Sequence, residues 1–106
     1  MTSISSMPTS RQQLAQRSEA YIKQTLQAHL QPGTPVYLYG SRARKDHHWN
    51  SDYDLWIDSA LPSALVHAIA EQLDESFVPF KIDIVTTPQV TGYFGDQVKK
   101  AAVLWM

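Results

Sequence analysis

The stretch "YGSRARKDHHWNSDYDLWID", Tyr39–Asp58, joins a Gly-Ser pair to a strand-like run that carries Asp52, Asp54 and Asp58. The run "DYDLWID" alternates, with Tyr53, Leu55 and Ile57 on one side and Asp52, Asp54, Trp56 and Asp58 on the other. Asp is depleted in strands, so acids aligned on one strand face call for a physical reason. Upstream, "VYLYG" (36–40) is a short strand of β-branched and aromatic residues that needs two covered faces. Between the two, "SRARK" can make about one helical turn, and "DHHWNS" reads as loop.

Working outward, Thr9 and Ser10 each precede a Gln by three residues (Gln12, Gln13), a capping-box pattern that starts a helix. Leu14, Ser18, Tyr21, Ile22, Leu26 and Leu30 give that helix one buried face, and "QPGTP" (31–35) ends it. Residues 1–8, rich in Ser and Thr, read as a flexible N-terminal tail. Pro62 opens a second long helix with Leu61, Leu65, Ala68, Ile69 and Leu73 as its stripe. "FKIDIVTT" (80–87) is a third strand, with Ile82 and Ile84 facing one way and Lys81, Asp83 and Val85 the other. A helix is expected over about 89–102 despite Gly92 and Gly95, and "VLWM" is either a short edge strand or the last helical turn. The order α-β-α-β-α-β-α predicts an α/β (α+β) fold: a small mixed β-sheet packed with helices.

With 106 residues there is room for one modest core. Hydrophobic residues at 43% and charged residues at 18% fit a globular chain, and no apolar run is long enough to span a bilayer. "MTSISSMPTS" lacks the basic start and apolar stretch of a signal peptide, and the absence of cysteine excludes thiolate chemistry and suits a cytoplasmic location. The net charge of -1 argues against a broad basic face for nucleic acid. It is unevenly spread: residues 1–50 hold six Lys/Arg against two Asp/Glu, and residues 51–106 hold three against eight. A basic loop running into an acidic strand suits a ligand with anionic oxygens and bound cations; ordinary scatter of surface charge gives the same asymmetry.

Asp52 and Asp54, two apart on a strand, leave the same sheet face, and Asp83 sits in another strand. If the strands are neighbours, three carboxylates converge. At about 4 Å and an effective dielectric near 20, each pair repels by roughly 4 kcal/mol. That is comparable to a whole domain's stability of about 5–15 kcal/mol. A solvated polar face is one resolution; hard divalent cations are the other, and Mg²⁺ is commonly held by one or two carboxylates plus substrate phosphates. Gly40 lets backbone approach a ligand, the following N–H groups and the Ser41 hydroxyl can bind phosphate oxygens, and Arg42 and Arg44 can flank a triphosphate.

Gly40-Ser41, ten residues, then Asp52-Tyr53-Asp54 is a GS-x10-D-x-D pattern, which arises by chance in roughly one chain per thousand of this length. It resembles the signature of the nucleotidyltransferase superfamily related to DNA polymerase β. The stretch "LYGSRARKDHHWNSDYDLWID" is similar to the minimal nucleotidyltransferases (MNT) in particular, over about residues 12–105. The resemblance implies the polymerase β-like fold, with residues 9–106 as a single minimal nucleotidyltransferase domain. It implies that Asp52 and Asp54 bind two Mg²⁺ ions, that Asp83 completes the triad, and that Gly40 and Ser41 hold the triphosphate of ATP. It also implies a partner, a helical HEPN toxin, whose tyrosine the MNT member modifies with AMP in its role as antitoxin. One departure is visible: Lys45 and Asp46 follow "GSRAR", where the family often has a glycine.

Other signals carry less. His47 and His48 read as exposed loop residues, and His29 and His67 lack partners at zinc spacing. There is no phosphate-binding G-x-x-x-x-G-K-[ST] and no G-x-S-x-G elbow. Trp49 stacks on a base or covers the core edge; Val103, Leu104, Trp105 and Met106 form a contact surface or pack back on the sheet. With little chain left for an acceptor domain, three functions stand: AMP transfer to a partner protein, silent docking to that partner, and transfer to a small-molecule hydroxyl.

Overall fold

A computed structural model describes residues 9–106, so the expected tail over 1–8 lies outside the described residues. Helix α1, Ser10–His29, starts at Thr9, whose hydroxyl accepts from the Gln12 N–H at 3.1 Å while Gln12 Oε1 accepts from the Thr9 N–H at 2.6 Å. This reciprocal cap satisfies two amides that a helix start otherwise leaves without partners. Strand β1 is Val36–Tyr39 and the one-turn helix α2 is Gly40–Arg44. They are followed by strand β2, Tyr53–Ile57, and helix α3, Ser63–Asp74. Strand β3 is Ile82–Thr86; after a 3₁₀ turn at Thr87–Gln89 come helix α4, Gly92–Ala101, and strand β4, Val103–Leu104.

The four strands form one mixed sheet in the order β3-β2-β1-β4. β1 runs antiparallel to β2 and to β4, whereas β2 and β3 are parallel, with α3 as the crossover between them. One sheet face is apolar. Tyr53, Leu55 and Ile57 are fully buried there against Ile22 and Leu26 of α1 and Ile69 and Leu73 of α3. Ala68, expected in the α3 stripe, is exposed: the buried contact of this helix narrows to Ile69 and Leu73, with Leu65 and Leu61 packed at its edge.

The opposite face carries the acids, and it is not uniformly open. Trp56, assigned to the acid side by alternation, is buried there with Val90 and Val98, stacked on Tyr37 at 4.7 Å between ring centroids. Its indole N–H donates to Thr87 Oγ1 at 3.1 Å, and that hydroxyl donates to Asp58 Oδ1 at 2.7 Å. Asp58 is thereby a structural acceptor, and α4 closes its end of the acid face.

Glycine inside α4 has a packing reason. A Cβ on Gly95 would lie 2.5 Å from the Val90 carbonyl carbon and 2.6 Å from its oxygen, so the helix can approach only without a side chain. Gly95→Ala is expected to cost about 1–3 kcal/mol through this overlap with backbone, read as a lower urea midpoint at unchanged slope.

The segment "VLWM" resolves into an edge strand and a return to the core. Val103 and Leu104 pair with Leu38 and Tyr37, while Trp105 and Met106 pack on the buried cluster and exchange backbone hydrogen bonds with Val36. Val103 and Leu104 themselves are 52% and 63% exposed. No helix among the described residues is long and apolar enough to cross a membrane.

Candidate active site

The acid pair is built by strand register. Asp54 on β2 stands opposite Tyr39 of β1 on one side and Asp83 of β3 on the other. Directly paired residues put their side chains on the same face, so the parallel pairing of β2 and β3 brings the Asp54 and Asp83 carboxylates side by side. Asp52 lies just before β2, exposed at the mouth of this face.

Strand β1 is followed directly by Gly40, the first residue of α2, at φ 74°, a left-handed conformation that favours glycine. A Cβ at Gly40 would overlap Asp54 Oδ2 and lie 3.1 Å from Asp54 Cγ. The Gly-Ser turn and the D-x-D strand therefore touch, Gly40 backbone against Asp54 carboxylate. Ser41 follows, half-buried in the first turn of α2, its carbonyl accepting from the Asp46 N–H at 3.2 Å. Lys45, one of the two residues that follow "GSRAR", caps α2 in the same left-handed region at φ 65°, at a cost of about 1–2 kcal/mol for a residue with a side chain.

Electrostatics follow from this packing. Burial holds the Asp54 carboxyl above the ordinary carboxylate range, and the negative charges of Asp83 and then Asp52 push the same way, against Arg44 and Lys81. The Tyr39 phenol is pushed up to about 12 by burial, then by Asp54 and Asp83. Lys81 Nζ stands 3.9 Å from Asp83 Oδ1, an exposed and weak pairing.

The basic residues divide. Arg44 is exposed and pairs with Asp46 at 3.1 Å, within electrostatic reach of Asp54. Arg42, expected to flank a triphosphate, is only 8% exposed, and it donates to Ser51 O from Nε at 3.0 Å and Nη2 at 2.9 Å, and to Trp49 O from Nη2 at 2.9 Å. Its Nε and Nη2 are engaged inside the protein on backbone carbonyls. Trp49 caps the core edge against Phe80, with Arg11 over its ring at 4.7 Å.

A hollow of about 510 Å³ opens beside Gly40, walled by Tyr39, Arg44, Phe94, Gln97 and Lys100. Two hollows of 570 and 660 Å³ lie elsewhere, one between Leu30 and Met106, the other between His67 and Ile82. Neither is lined by Gly40 or by Asp54; the first hollow is lined by Gly40 and Arg44 but by none of Ser41, Asp52, Asp54 and Asp83. Tyr39, Phe94 and Lys100 had no motif to mark them. Alternation back from Gly40 places Tyr39 on the acid face, whereas the α4 residues become visible only once that helix is docked.

Two carboxylates side by side are the kind of oxygen donors that a hard divalent cation takes. Carboxylate oxygens in register, one of them carrying an unfavourable charge, are stabilised by a cation more than by a proton donor. Among the described residues no group of three or more His, Cys, Asp or Glu is placed to hold a metal ion, so the expected set of Asp52, Asp54 and Asp83 is not gathered as such; the register brings together Asp54 and Asp83. The protein would supply part of a ligand set and leave the rest to water and substrate oxygens, as Mg²⁺ sites commonly do.

Comparison with known proteins gives one family match, "Polymerase beta, Nucleotidyltransferase", over residues 21–105. No curated protein matches by sequence. Among solved structures, a toxin–antitoxin with AMP-PNP superposes with a TM-score of 0.67 at 24% identity, covering 82% of this chain and 72% of that one. A tri-AMPylated Shewanella oneidensis HEPN toxin in complex with MNT antitoxin gives 0.63 at 21% identity, covering 86% and 71%. A mutant of the toxin–antitoxin MntA–HpeT gives 0.64 at 21% identity, covering 82% and 71%. At these identities the likeness is one of fold.

Proposed function

This chain belongs to the polymerase beta nucleotidyltransferase family, and from that premise we propose that it transfers AMP from ATP to a hydroxyl of a partner protein. The observation that carries the reading is the contact of Gly40 backbone with the Asp54 carboxylate, with Asp83 in register beyond it. In this reading the turn would bind phosphate, and its contact with Asp54 supports a nucleotide lying between turn and acid pair.

In this mechanism the Gly40 and Ser41 amides and the Arg44 guanidinium hold the triphosphate. Asp52 and Asp54 would hold Mg²⁺, with Asp83 sharing in it; the ion supplies charge neutralisation around the α-phosphate and the leaving oxygen. Asp83 orients the attacking hydroxyl and accepts its hydrogen bond. The hydroxyl oxygen bonds to the α-phosphorus, the α–β phosphoanhydride bond breaks, pyrophosphate leaves, and the hydroxyl proton passes to Asp83 and on to solvent. The remaining work is positioning, as in other phosphoryl transfers. The partner in this reading is a HEPN toxin, the acceptor a tyrosine, and the chain an antitoxin; the toxin–antitoxin folds it resembles, one holding an AMPylated toxin, support this.

The test is label transfer to the candidate partner from ATP labelled at the α- or the γ-phosphate. Label from the α-position only, lost with a chelator and restored by Mg²⁺, is the expected result. Label from the γ-position would mean phosphorylation, and none from either would remove the enzymatic reading. Docking without transfer is a second reading, favoured by the exposed Val103 and Leu104 on the open sheet edge and by the incomplete cage of carboxylates.

A further inference from the structure

Arg42 spends its donors on backbone of the segment that leads into the D-x-D strand. Nε and Nη2 converge on Ser51 O, at 3.0 and 2.9 Å, and Nη2 also reaches Trp49 O at 2.9 Å. The guanidinium lies 3.8 Å above the centroid of the Tyr53 ring and 5.0 Å from that of Phe80. Tyr53 is itself fixed: it is fully buried, and its hydroxyl donates to Glu19 Oε2 of α1 at 2.7 Å.

Arg42 also belongs to α2, the turn of helix that starts at Gly40. One side chain therefore joins the helix holding Gly40 and Ser41 to the residue preceding Asp52 and to the residue between Asp52 and Asp54. A buried cation needs acceptors and an aromatic face, and here both come from the acid-bearing segment. We propose that Arg42 is the positioning residue of this site, a brace that sets the distance between the Gly-Ser turn and the two aspartates without touching nucleotide. The inference rests on the transferase reading for its kinetic consequences, while its structural content stands apart from activity.

Lysine at this position keeps the charge and loses the planar fork that takes two carbonyls. The experiment compares the native chain with Arg42→Lys and Arg42→Ala. Ile69→Val, a methylene removed from the far side of the core, is the stability control. Amide hydrogen exchange reads the His48, Ser51 and Tyr53 amides, whose hydrogen bonds go to Ser51 Oγ, His48 O and Lys81 O. In Arg42→Lys these amides should exchange about tenfold faster or more, with α1 and α3 unchanged. In the transfer assay kcat should fall about 10²-fold while KM for ATP stays within about threefold, the pattern of a displaced group rather than a lost ligand. Arg42→Ala should go further in the same direction, and Ile69→Val should lower the thermal midpoint alone.

A rise in KM with kcat intact would overturn the proposal in favour of direct nucleotide binding. A lowered midpoint in Arg42→Lys with no local exchange change and native kcat per folded molecule would reduce Arg42 to a packing residue. If the native chain transfers nothing, the transferase reading fails, and the exchange measurement alone decides whether the brace exists.

Discussion

Asp54→Asn is expected to lower nucleotidyl transfer by roughly 10³-fold or more while leaving the fold at least as stable as the native chain. The two effects have one cause. Asp54 is half-buried beside Asp83 and near Asp52, so its charge costs stability in the free protein and is useful only when cations and phosphates are present. Its carboxyl is held above the ordinary range, so the folded state binds the proton more tightly than the unfolded chain does. Stability therefore falls as pH rises from the unfolded value, about 4, through the folded one, and the loss is fully present above it. Removing the charge should stabilise the fold at pH 7 and do little near pH 4, as urea unfolding at the two values will show. Asp52→Asn, at the exposed mouth, should abolish transfer with little change in stability. A loss of stability in both variants would mark the acids as structural and contradict the site.

Gly40→Ala is expected to reduce transfer at least about 10²-fold and to lower the thermal midpoint as well. At φ 74° an alanine costs about 1–2 kcal/mol before any contact is counted. Its Cβ would then overlap Asp54 Oδ2, forcing the carboxylate away from the turn. Relaxation by rotating Asp54 restores the fold at the expense of the site, so transfer should suffer more than stability. Ser41→Ala, which removes one hydroxyl and leaves the turn intact, is the comparison. Near-native transfer by Gly40→Ala would show that the close approach of turn and acid is not needed.

Alternation along "DYDLWID" was enough to place Asp54 on a sheet face opposite Leu55, and the spacing from Gly40 was enough to tie that face to a turn. The partnership of Asp54 with Asp83 was expected from the family resemblance, whereas the strand pattern alone left it conditional on the two strands being neighbours. Sequence gives each strand's faces but not which strands are neighbours or whether they run parallel, and both decide the register. The burial of Arg42 was not legible for a related reason. A basic residue beside a Gly-Ser turn reads as surface, whereas its burial depends on Tyr53 and Phe80, contributed by two later segments. Trp56 shared its face with the acids in the alternation, yet α4 covers it, a long-range docking that no local pattern reports. Lys45 adopts a left-handed conformation that favours glycine, which its residue type did not announce.

The most direct measurement of the central claim is the intact mass of the proposed partner, a purified HEPN-like protein, after incubation with this chain, ATP and Mg²⁺. The control is the same incubation with the variant carrying both Asp52→Ala and Asp54→Ala. Mass gains in steps of one AMP, absent from the control, are the predicted result. A partner of unchanged mass that binds the native chain and the variant alike would contradict transfer and leave docking as the function.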